Sequence, residues 1–343
     1  MFQIVNIWNL TRPDKEMSDR IQDINFRGYH SDAFLTGEFA RKLSIKEIKP
    51  LSVSDIADRY CPKRRDLYLI KGSNRPPGRT EQATWGRIAG TLAESYMENI
   101  FVCQPCQDKS YSSIISGGKC FKNNFATQNN TQLGKLREEE SKEIETVDSD
   151  WFLRLLDYNG RIESGLSFLH TILKEEESLD ITDIESVRER FEIKPNTQQI
   201  GINSPAKPDF IIPKFGIVGD IKSGKEFEDH FLLTCTGYGL AYENQHKKDI
   251  NWGVIYFIPT RYSFATQSLS ETKPLILAQV YIFAIDNNLR EWFISVRDEA
   301  YNIISKSEIP GFPSEMERKG CRSCKCKTYC VGDGLELDNN ENQ

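Results

Sequence analysis

Apolar side chains recur at helical spacing in several segments of the chain. Between residues 84 and 101 they return every three or four positions, which predicts a helix packed in the core. A shorter helix is predicted after Ser52 or Ser54, because a serine hydroxyl there precedes Asp55 and can cap the first turn. The same spacing predicts further helices over residues 151–173, 182–190, 228–243 and 288–305.

Short β-rich runs lie between these helical segments. Residues 210–212 and 217–218 are branched or aromatic and are separated by Pro213-Lys214-Phe215-Gly216, a pattern typical of a hairpin. Additional strands are predicted around residues 191–202, 252–258 and 277–285. Strands interspersed with helices predict a mixed α/β fold.

The composition is that of a soluble globular chain. Of its 343 residues, 38% are hydrophobic, which is enough to form a core. We expect neither secretion nor membrane insertion and place the protein in the cytoplasm, because no basic segment precedes an apolar stretch at the N-terminus and no apolar run is long enough to span a bilayer. Nine cysteines in a reducing compartment favour metal binding over disulfides.

Composition also suggests how the chain is divided. Residues 1–50 are interpreted as an irregular lead-in, residues 51–331 as the main domain and residues 332–343 as a disordered tail. Within the main domain, residues 103–150 are rich in Ser, Asn, Gln, Lys and Glu, which is typical of an insertion with partial disorder.

Charge is distributed unevenly along the chain. The formal net charge of -6 gives no overall sign of nucleic-acid binding. Locally, however, residues 62–87 contain seven Lys and Arg against Asp66 and Glu81. This basic stretch is interpreted either as a solvated surface or as a region with a role in binding.

Two aspartates and a lysine flank the predicted hairpin. If the turn is centred between Lys214 and Phe215, Asp209 faces Asp220 across the hairpin. Directly opposed side chains have Cβ atoms about 5 Å apart, close enough for two carboxylates to share a divalent ion. Lys222 lies two residues beyond Asp220 and therefore projects from the same face of the strand.

Opposed carboxylates repel each other unless a cation lies between them, which favours Mg²⁺ or Mn²⁺ at Asp209 and Asp220. Such an ion with a neighbouring lysine is suited to phosphodiester hydrolysis, because it polarises the phosphate and activates water. The alternative is that both aspartates merely end strands and Lys222 solvates an edge.

A phosphate-binding loop overlaps this group in sequence. Residues 219–225 satisfy the first seven positions of a P-loop, but Glu226 occupies the eighth, where a Ser or Thr hydroxyl should bind Mg²⁺. We therefore rank nucleotide hydrolysis below nuclease chemistry.

Thiols are concentrated near the C-terminus. Cys321, Cys324, Cys326 and Cys330 lie within ten residues, which predicts a zinc or iron-sulfur site. Cys326 is interpreted as the spare thiol, because one residue is an awkward separation from Cys324 for two ligands of one tetrahedral centre.

Five other cysteines lie earlier in the chain, and four of them, all except Cys61, have a simple interpretation. Cys103, Cys106 and Cys120 border or occupy the polar insertion, and we interpret them as loop residues in preference to a zinc knuckle or ribbon. Cys235 lies in a predicted helix and is interpreted as a small core residue.

Taken in order, these residues resemble the RecB-like nucleases that have a PD-(D/E)xK core and a cysteine-clamped 4Fe-4S cluster. The resemblance is greatest to the CRISPR-associated Cas-four family, in its Csa-type branch. The segments that carry it are residues 54–69 around Tyr60-Cys61-Pro62, the C-terminal cysteines, Pro208-Asp209, Asp220-Ile221-Lys222 and Gly90-Thr91-Leu92-Ala93-Glu94.

The resemblance implies a restriction-endonuclease-like (RecB-type) mixed sheet flanked by helices, with a cluster clamp joining the two ends of the fold. It implies Glu94 as a further metal ligand, although helical geometry also fits a solvated face, and Tyr238 as a substrate-positioning residue, although helix packing explains it equally well. The cluster ligands that it implies are Cys61, Cys321, Cys324 and Cys330.

The implied activity is that of a Mg²⁺- or Mn²⁺-dependent nuclease that trims single-stranded DNA ends or overhangs before CRISPR spacer integration, with the integrase as partner. The basic segment would then contact phosphates or support the cluster. Ala93 and Thr234 replace a His and a Gln common in relatives. Alternatives are therefore a catalytically impaired iron-sulfur DNA-binding adaptor, a general DNA-repair nuclease and a zinc-only protein.

Overall fold

The computed structural model describes residue 21 and residues 24–78, 192–224, 227–259, 279–306 and 308–336. The predicted helices over 84–101, 151–173 and 182–190 lie outside the described residues, as does the insertion at 103–150. The side chains of Glu94, Cys103, Cys106 and Cys120 also fall outside them.

Four strands of the described ranges form one mixed sheet in the order β1-β2-β3-β4. The strands are β1 (Phe210–Ile212), β2 (Ile217–Gly224), β3 (Trp252–Pro259) and β4 (Gln279–Ala284). β1 and β2 are antiparallel, β2 and β3 are parallel, and β3 and β4 are antiparallel. The sheet with its flanking helices confirms the predicted mixed α/β class.

The β1–β2 hairpin has the predicted register, with Phe210 opposite Gly219 and Ile212 opposite Ile217. A single 3-10 turn, Pro213–Phe215, connects the strands, and Gly216 follows it with a φ of +62°, which favours glycine. Glycine is also required at position 219, because a Cβ there would lie 1.9 Å from the Phe210 ring.

The helices predicted at 228–243 and 288–305 and after Ser52 are confirmed. The helices of the described ranges are α1 (Gly37–Ser44), α2 (Val53–Ala57), α3 (Arg65–Leu67), α4 (Thr197–Ile200), α5 (His230–His246), α6 (Asn287–Ile304) and α7 (Lys327–Gly332). Further 3-10 or π-helical segments are Ser31–Ala33, Tyr68–Gly72 and Glu315–Ser323. Ser52 caps α2 in a capping box with Asp55, so Ser52 and not Ser54 is the N-cap.

The prediction of strands around 191–202 was wrong. That segment contains only isolated bridges, Leu51 with Ile202 and Ile193 with Ala206, on either side of the short helix α4. Its branched apolar residues are buried individually, which accounts for the apparent β pattern. The Asn196 side chain instead accepts a hydrogen bond from the Gln199 N–H and caps α4.

Helix α5 is the centre of the core. It connects β2 to the parallel strand β3 and is buried continuously from Phe231 to Asn244. A helix that is enclosed on all sides needs no polar face. At Gly237 a Cβ would lie 2.5 Å from the Phe293 ring of α6 and 2.8 Å from Val53 of α2, so glycine allows the close approach of these helices.

The segments at both ends of the described chain also enter the core. Ala33 and Leu35, in the predicted lead-in, are buried against the main hydrophobic core. Leu335, in the predicted tail, is buried beside Cys326 and Cys330. Among the helices in the described residues, none combines the length and apolar character needed to cross a membrane.

Candidate active site and cysteine pocket

The hairpin brings Asp209, Asp220 and Lys222 together. Asp209 lies immediately before β1, one step beyond the pairing of Phe210 with Gly219, and is therefore opposite Asp220. Its Oδ2 accepts a hydrogen bond of 2.5 Å from the Ile221 N–H. On the same strand, Lys222 Nζ lies 2.9 Å from Asp220 Oδ2. The predicted acidic pair and lysine thus share one corner of the sheet.

Burial dominates the electrostatics of this corner. Asp220 is only 5% exposed, and burial raises its pKa, while the ammonium of Lys222 opposes that rise. Burial also disfavours the charged form of Lys222, but the carboxylates of Asp220 and Asp58 outweigh it and raise the lysine's pKa. A buried carboxylate of raised pKa is destabilised when ionised and gains from a cation in contact with it.

Tyr238 of α5 reaches the same corner. Its side chain is buried, and burial, followed by the charges of Asp220 and Asp209, raises the pKa of its hydroxyl well above the usual value. The hydroxyl therefore stays protonated and can donate a hydrogen bond beside the carboxylates. The neighbouring Cys235 is enclosed and directs its thiol at the Val254 carbonyl oxygen, 3.5 Å away, as expected of a core residue.

Asp58 is a third carboxylate at this corner, and sequence reasoning missed it. It follows α2, where its N–H donates to the Ser54 carbonyl at 2.9 Å. Burial raises the pKa of Asp58, and the nearby ammonium groups of Lys222 and Lys325 lower it. The one signal in the sequence is its position, because a carboxylate at the C-terminal end of a helix is unfavourable without a compensating partner.

His230, the first residue of α5, is a second side chain that sequence reasoning missed. Its Nδ1 lies 3.2 Å from Glu228 Oε2. Burial lowers the pKa of the imidazole, and the positive charge of Lys222 adds to that effect, whereas Glu228 opposes it. A neutral imidazole beside the acidic corner can accept a proton or bind a metal.

The P-loop interpretation is excluded by the backbone. Residues 219–224 lie in strand β2 and are paired with β3, from Gly219 opposite Val254 to Gly224 opposite Pro259. A P-loop instead wraps its N–H groups around a phosphate before a helix. These N–H groups lie in a sheet, so the similarity in sequence has no counterpart in structure.

The cysteines of the N- and C-terminal segments line one pocket. Cys61 comes from the turn after α2, and the other cysteines come from the C-terminal segment. The thiols that line the pocket are those of Cys61, Cys321, Cys324, Cys326 and Cys330. Tyr60, Asp66 and Leu335 complete its wall. The structure therefore juxtaposes all four residues predicted as cluster ligands, which are separated by up to 269 positions in sequence.

Cys326 differs from the other thiols of the pocket. It is fully buried, and its Sγ is directed at the Asp66 carbonyl oxygen, 3.8 Å away. Cys324 Sγ interacts with the side chain of Cys326 and lies 3.4 Å from the Cys326 N–H. These interactions lower the pKa of Cys324 to about 7. Cys326 thus supports a neighbouring thiolate.

The other three thiols are less acidic. Burial raises the pKa of Cys61, and it raises that of Cys321 to about 11. Burial also raises the pKa of Cys330, but the guanidinium of Arg65 donates to its sulfur and opposes the rise. A thiolate ligand needs such donors or a metal cation to stay deprotonated.

Arg64 and Arg65 are buried and bonded to protein groups, so their guanidinium groups do not form a phosphate surface. Arg64 donates to the Ile56 carbonyl at 3.0 Å and the Asp55 carbonyl at 2.6 Å. Arg65 bonds Asp333 at 2.6 Å and lies 4.4 Å from the centroid of the Phe312 ring. Arg64 therefore holds the C-terminal end of α2, and Arg65 joins this segment to the C-terminal segment beside Cys330.

The thiols around this pocket are ligands of a kind that both zinc and iron-sulfur clusters take. Within the described residues, no group of three His, Cys, Asp or Glu side chains is arranged to hold a single metal ion. Iron, sulfide and zinc analysis of the purified protein decides between the two metals.

The fold and its site define a mixed α/β protein with a carboxylate and lysine centre beside a cysteine-lined pocket. The chain belongs to the family of CRISPR-associated exonuclease Csa1, whose family model matches residues 42–333. It is similar to a Saccharolobus solfataricus protein described as CRISPR-associated exonuclease Csa1, with 22% identity over 275 residues, covering 79% of this chain and 83% of the relative. No solved structure matches the chain. Family membership supports a CRISPR-linked nuclease role.

Proposed function

We propose that this protein is a metal-dependent nuclease that trims single-stranded DNA ends or overhangs of fragments destined for CRISPR spacer integration. The observation that carries the proposal is the approach of Lys222 to Asp220, 2.9 Å apart on β2 and opposite Asp209, in a chain of an exonuclease family. Two acidic side chains and a lysine at one sheet corner are the groups that phosphodiester hydrolysis requires.

Asp209 and Asp220 would hold Mg²⁺ or Mn²⁺, with Glu94 as the further ligand that the family resemblance implies. When bound, the ion would polarise the phosphate and lower the pKa of the attacking water. Lys222 would orient that water and neutralise charge that develops on the phosphate oxygens. Tyr238 would donate a hydrogen bond from its protonated hydroxyl to position the DNA phosphate.

We further propose that Cys61, Cys321, Cys324 and Cys330 hold a 4Fe-4S cluster with a structural role. The shared pocket and the buried Arg65 beside Cys330 support this assignment. The cluster would fix the turn that follows α2 against the C-terminal segment. Because Asp58 lies three residues before Cys61, the same connection would help to hold the acidic corner in place.

The partner that we propose is the CRISPR integrase, which would receive the trimmed fragment. A catalytically impaired adaptor is the second candidate, favoured by one observation. Thr234 replaces a glutamine common in relatives, is completely buried, and its hydroxyl has no hydrogen-bond partner within the described residues. A hydroxyl enclosed in this way does not reach a DNA strand.

Cleavage assays test the proposal. The parent protein, purified anaerobically and given Mg²⁺ or Mn²⁺, should shorten end-labelled single-stranded DNA. Asp220→Asn and Lys222→Met should each reduce the rate about 100-fold or more. Lys207→Met is the matched control, because Lys207 lies near the hairpin in sequence but is exposed and pairs with Glu192 at 2.8 Å. DNA binding by a parent protein that never cleaves would favour the adaptor.

A further inference from the structure

Tyr60 is an exposed aromatic residue between the two candidate sites. Its side chain is 60% exposed, and it is the one aromatic among the large hydrophobic residues exposed in the described ranges. It lies two residues after Asp58 and immediately before Cys61. Tyr60 lines the cysteine pocket with part of its side chain and exposes the rest of its ring to solvent.

Charged groups of the acidic corner act on the Tyr60 hydroxyl. The nearby carboxylate of Asp58, followed by partial burial, raises the pKa of Tyr60 to about 12, and the ammonium of Lys222 opposes this rise. The hydroxyl end therefore lies at the edge of the proposed nuclease site. The ring is neutral at physiological pH and remains a stacking surface.

A cation lies beside the same ring. Lys325 Nζ is 5.8 Å from the ring centroid, within the range of a cation–π contact. Lys325 lies between Cys324 and Cys326, so the lysine and the ring come from the two opposite segments of the cysteine pocket. The Lys325 ammonium thus places a positive charge next to the ring, where it can contact a nucleic-acid phosphate.

The backbone at Tyr60 is held in place. Cys61 is buried, and its carbonyl accepts a hydrogen bond of 2.8 Å from the Arg64 N–H. The C-terminal segment approaches closely, since a Cβ on Gly320 would lie 3.3 Å from the Tyr60 carbonyl oxygen. An aromatic side chain on a fixed backbone loses little conformational freedom when a base stacks on it.

We propose that Tyr60 and Lys325 form a subsite that binds an unpaired base of single-stranded DNA at the entrance of the nuclease site, the base stacking on the Tyr60 ring and its phosphate contacting Lys325. This inference rests on the proposed nuclease function and names how its substrate is held. Sequence-independent binding of single strands combines an aromatic platform with a cation in this way. Bases inside a duplex have both faces covered, so the subsite selects unpaired ends.

Binding without cleavage tests the subsite. Asp220→Asn protein in EDTA is titrated with short single-stranded oligonucleotides that carry 2-aminopurine at the 5′ or the 3′ end. Stacking quenches 2-aminopurine, so one of the two oligonucleotides should lose fluorescence on binding. Introducing Tyr60→Ala into the Asp220→Asn protein should remove the quenching and weaken binding about 5- to 100-fold, whereas Tyr60→Trp should preserve the quenching and the affinity. A blunt duplex should bind with equal affinity to the Asp220→Asn protein with and without Tyr60→Ala.

Two further variants complete the test. Ile45→Ala is the control for loss of an exposed apolar side chain, because Ile45, the residue that follows α1, is 57% exposed, and the affinity of this variant should equal that of the parent. Lys325→Gln should reduce the slope of log affinity against log salt by about 1. Circular dichroism of Tyr60→Ala should match the parent, and the iron content of Tyr60→Trp, which keeps an aromatic ring in the pocket wall, should match it as well.

The outcomes also separate this inference from the proposed function. If the parent cleaves DNA but Tyr60→Ala retains its affinity and quenching, the subsite is refuted and the nuclease stands. If the parent never cleaves but Tyr60→Ala loses affinity, the nuclease is refuted and the binding subsite stands. Absence of single-strand binding by the parent would overturn the subsite.

Discussion

Glu243 of α5 and Arg290 of α6 form a bidentate ion pair in the core, with Nη1 2.7 Å from Oε2 and Nη2 2.9 Å from Oε1. Both side chains are completely buried. Arg27 from the N-terminal segment adds a third charge at 2.7 Å, and the Gly28 N–H donates to the same carboxylate at 2.9 Å. One carboxylate thus joins three segments of the chain.

Removal of Glu243 should be severely destabilising. Glu243→Gln leaves Arg27 and Arg290 as buried charges without their counter-ion, so we expect the free energy of unfolding to fall by about 3–5 kcal/mol. Urea denaturation measures this change. Arg59→Gln is the control, because Arg59 and its partner Glu299 are 36% and 42% exposed, and its effect should stay below about 1 kcal/mol. Equal effects of the two substitutions would contradict the prediction.

The β1–β2 hairpin and the Glu243 network differ in how far they can be predicted from the sequence. The register of the β1–β2 hairpin was predictable because it depends on a local turn, Pro213–Phe215, and on alternation along two short strands. Glu243 and Arg27 are 216 residues apart, and no periodic pattern connects them. Long-range pairing of charges depends on the packed fold, so the core network was not predicted.

The residues of the candidate site also differ in whether the sequence could predict them. Asp209, Asp220 and Lys222 follow from the hairpin, and resemblance to a family linked Cys61 to the distant C-terminal thiols. Asp58 was missed because its proximity to Lys222 arises only when α2 packs against α5 and α6. The error at residues 191–202 has a local cause, since individually buried isoleucines imitate a strand while Gly201, at a φ of +70°, ends a short helix.

The acid limit of activity should depend on Asp58. Metal binding requires ionised Asp220, whose pKa is raised by burial and further by the charge of Asp58. Asp58→Asn removes the second effect, so protons should compete with Mg²⁺ only at lower pH. We therefore expect the acid limb of kcat/KM to move to lower pH.

A control variant and a stability measurement test the role of Asp58 further. Asp249→Asn changes an exposed carboxylate that bonds Tyr29 at 2.6 Å and should leave the acid limb in place. In metal-free protein the raised pKa of Asp220 makes the free energy of unfolding decrease as pH rises from the unfolded pKa to the folded pKa. Asp58→Asn should weaken that dependence. An acid limb that stays fixed or moves upward in Asp58→Asn would refute the electrostatic role.

The five thiols of the pocket should differ in their importance for iron. Cys330→Ala removes a proposed cluster ligand and should lower the iron and sulfide bound per protein well below the parent value. Cys326→Ala removes a supporting thiol but retains the N–H that approaches Cys324 Sγ at 3.4 Å, so iron content should fall far less than in Cys330→Ala. Anaerobic purification followed by iron, sulfide and zinc analysis measures both. One zinc and no iron in the parent would reject the cluster.

Within the basic segment, residues 62–87, we expect the buried and the exposed cations to have different roles. Arg65→Gln loses the bonds to the Pro310 carbonyl and Asp333 and the donor beside Cys330, so we expect reduced iron retention and lower thermal stability. Lys63 is exposed, and Lys63→Gln should leave iron content unchanged while reducing the salt dependence of DNA binding by about one phosphate contact. Fluorescence titrations over a range of salt concentrations, with iron analysis of the same samples, measure both effects. The division fails if Arg65→Gln keeps its iron and alters only the salt dependence, because a buried guanidinium that supports thiolates does not contact DNA phosphates.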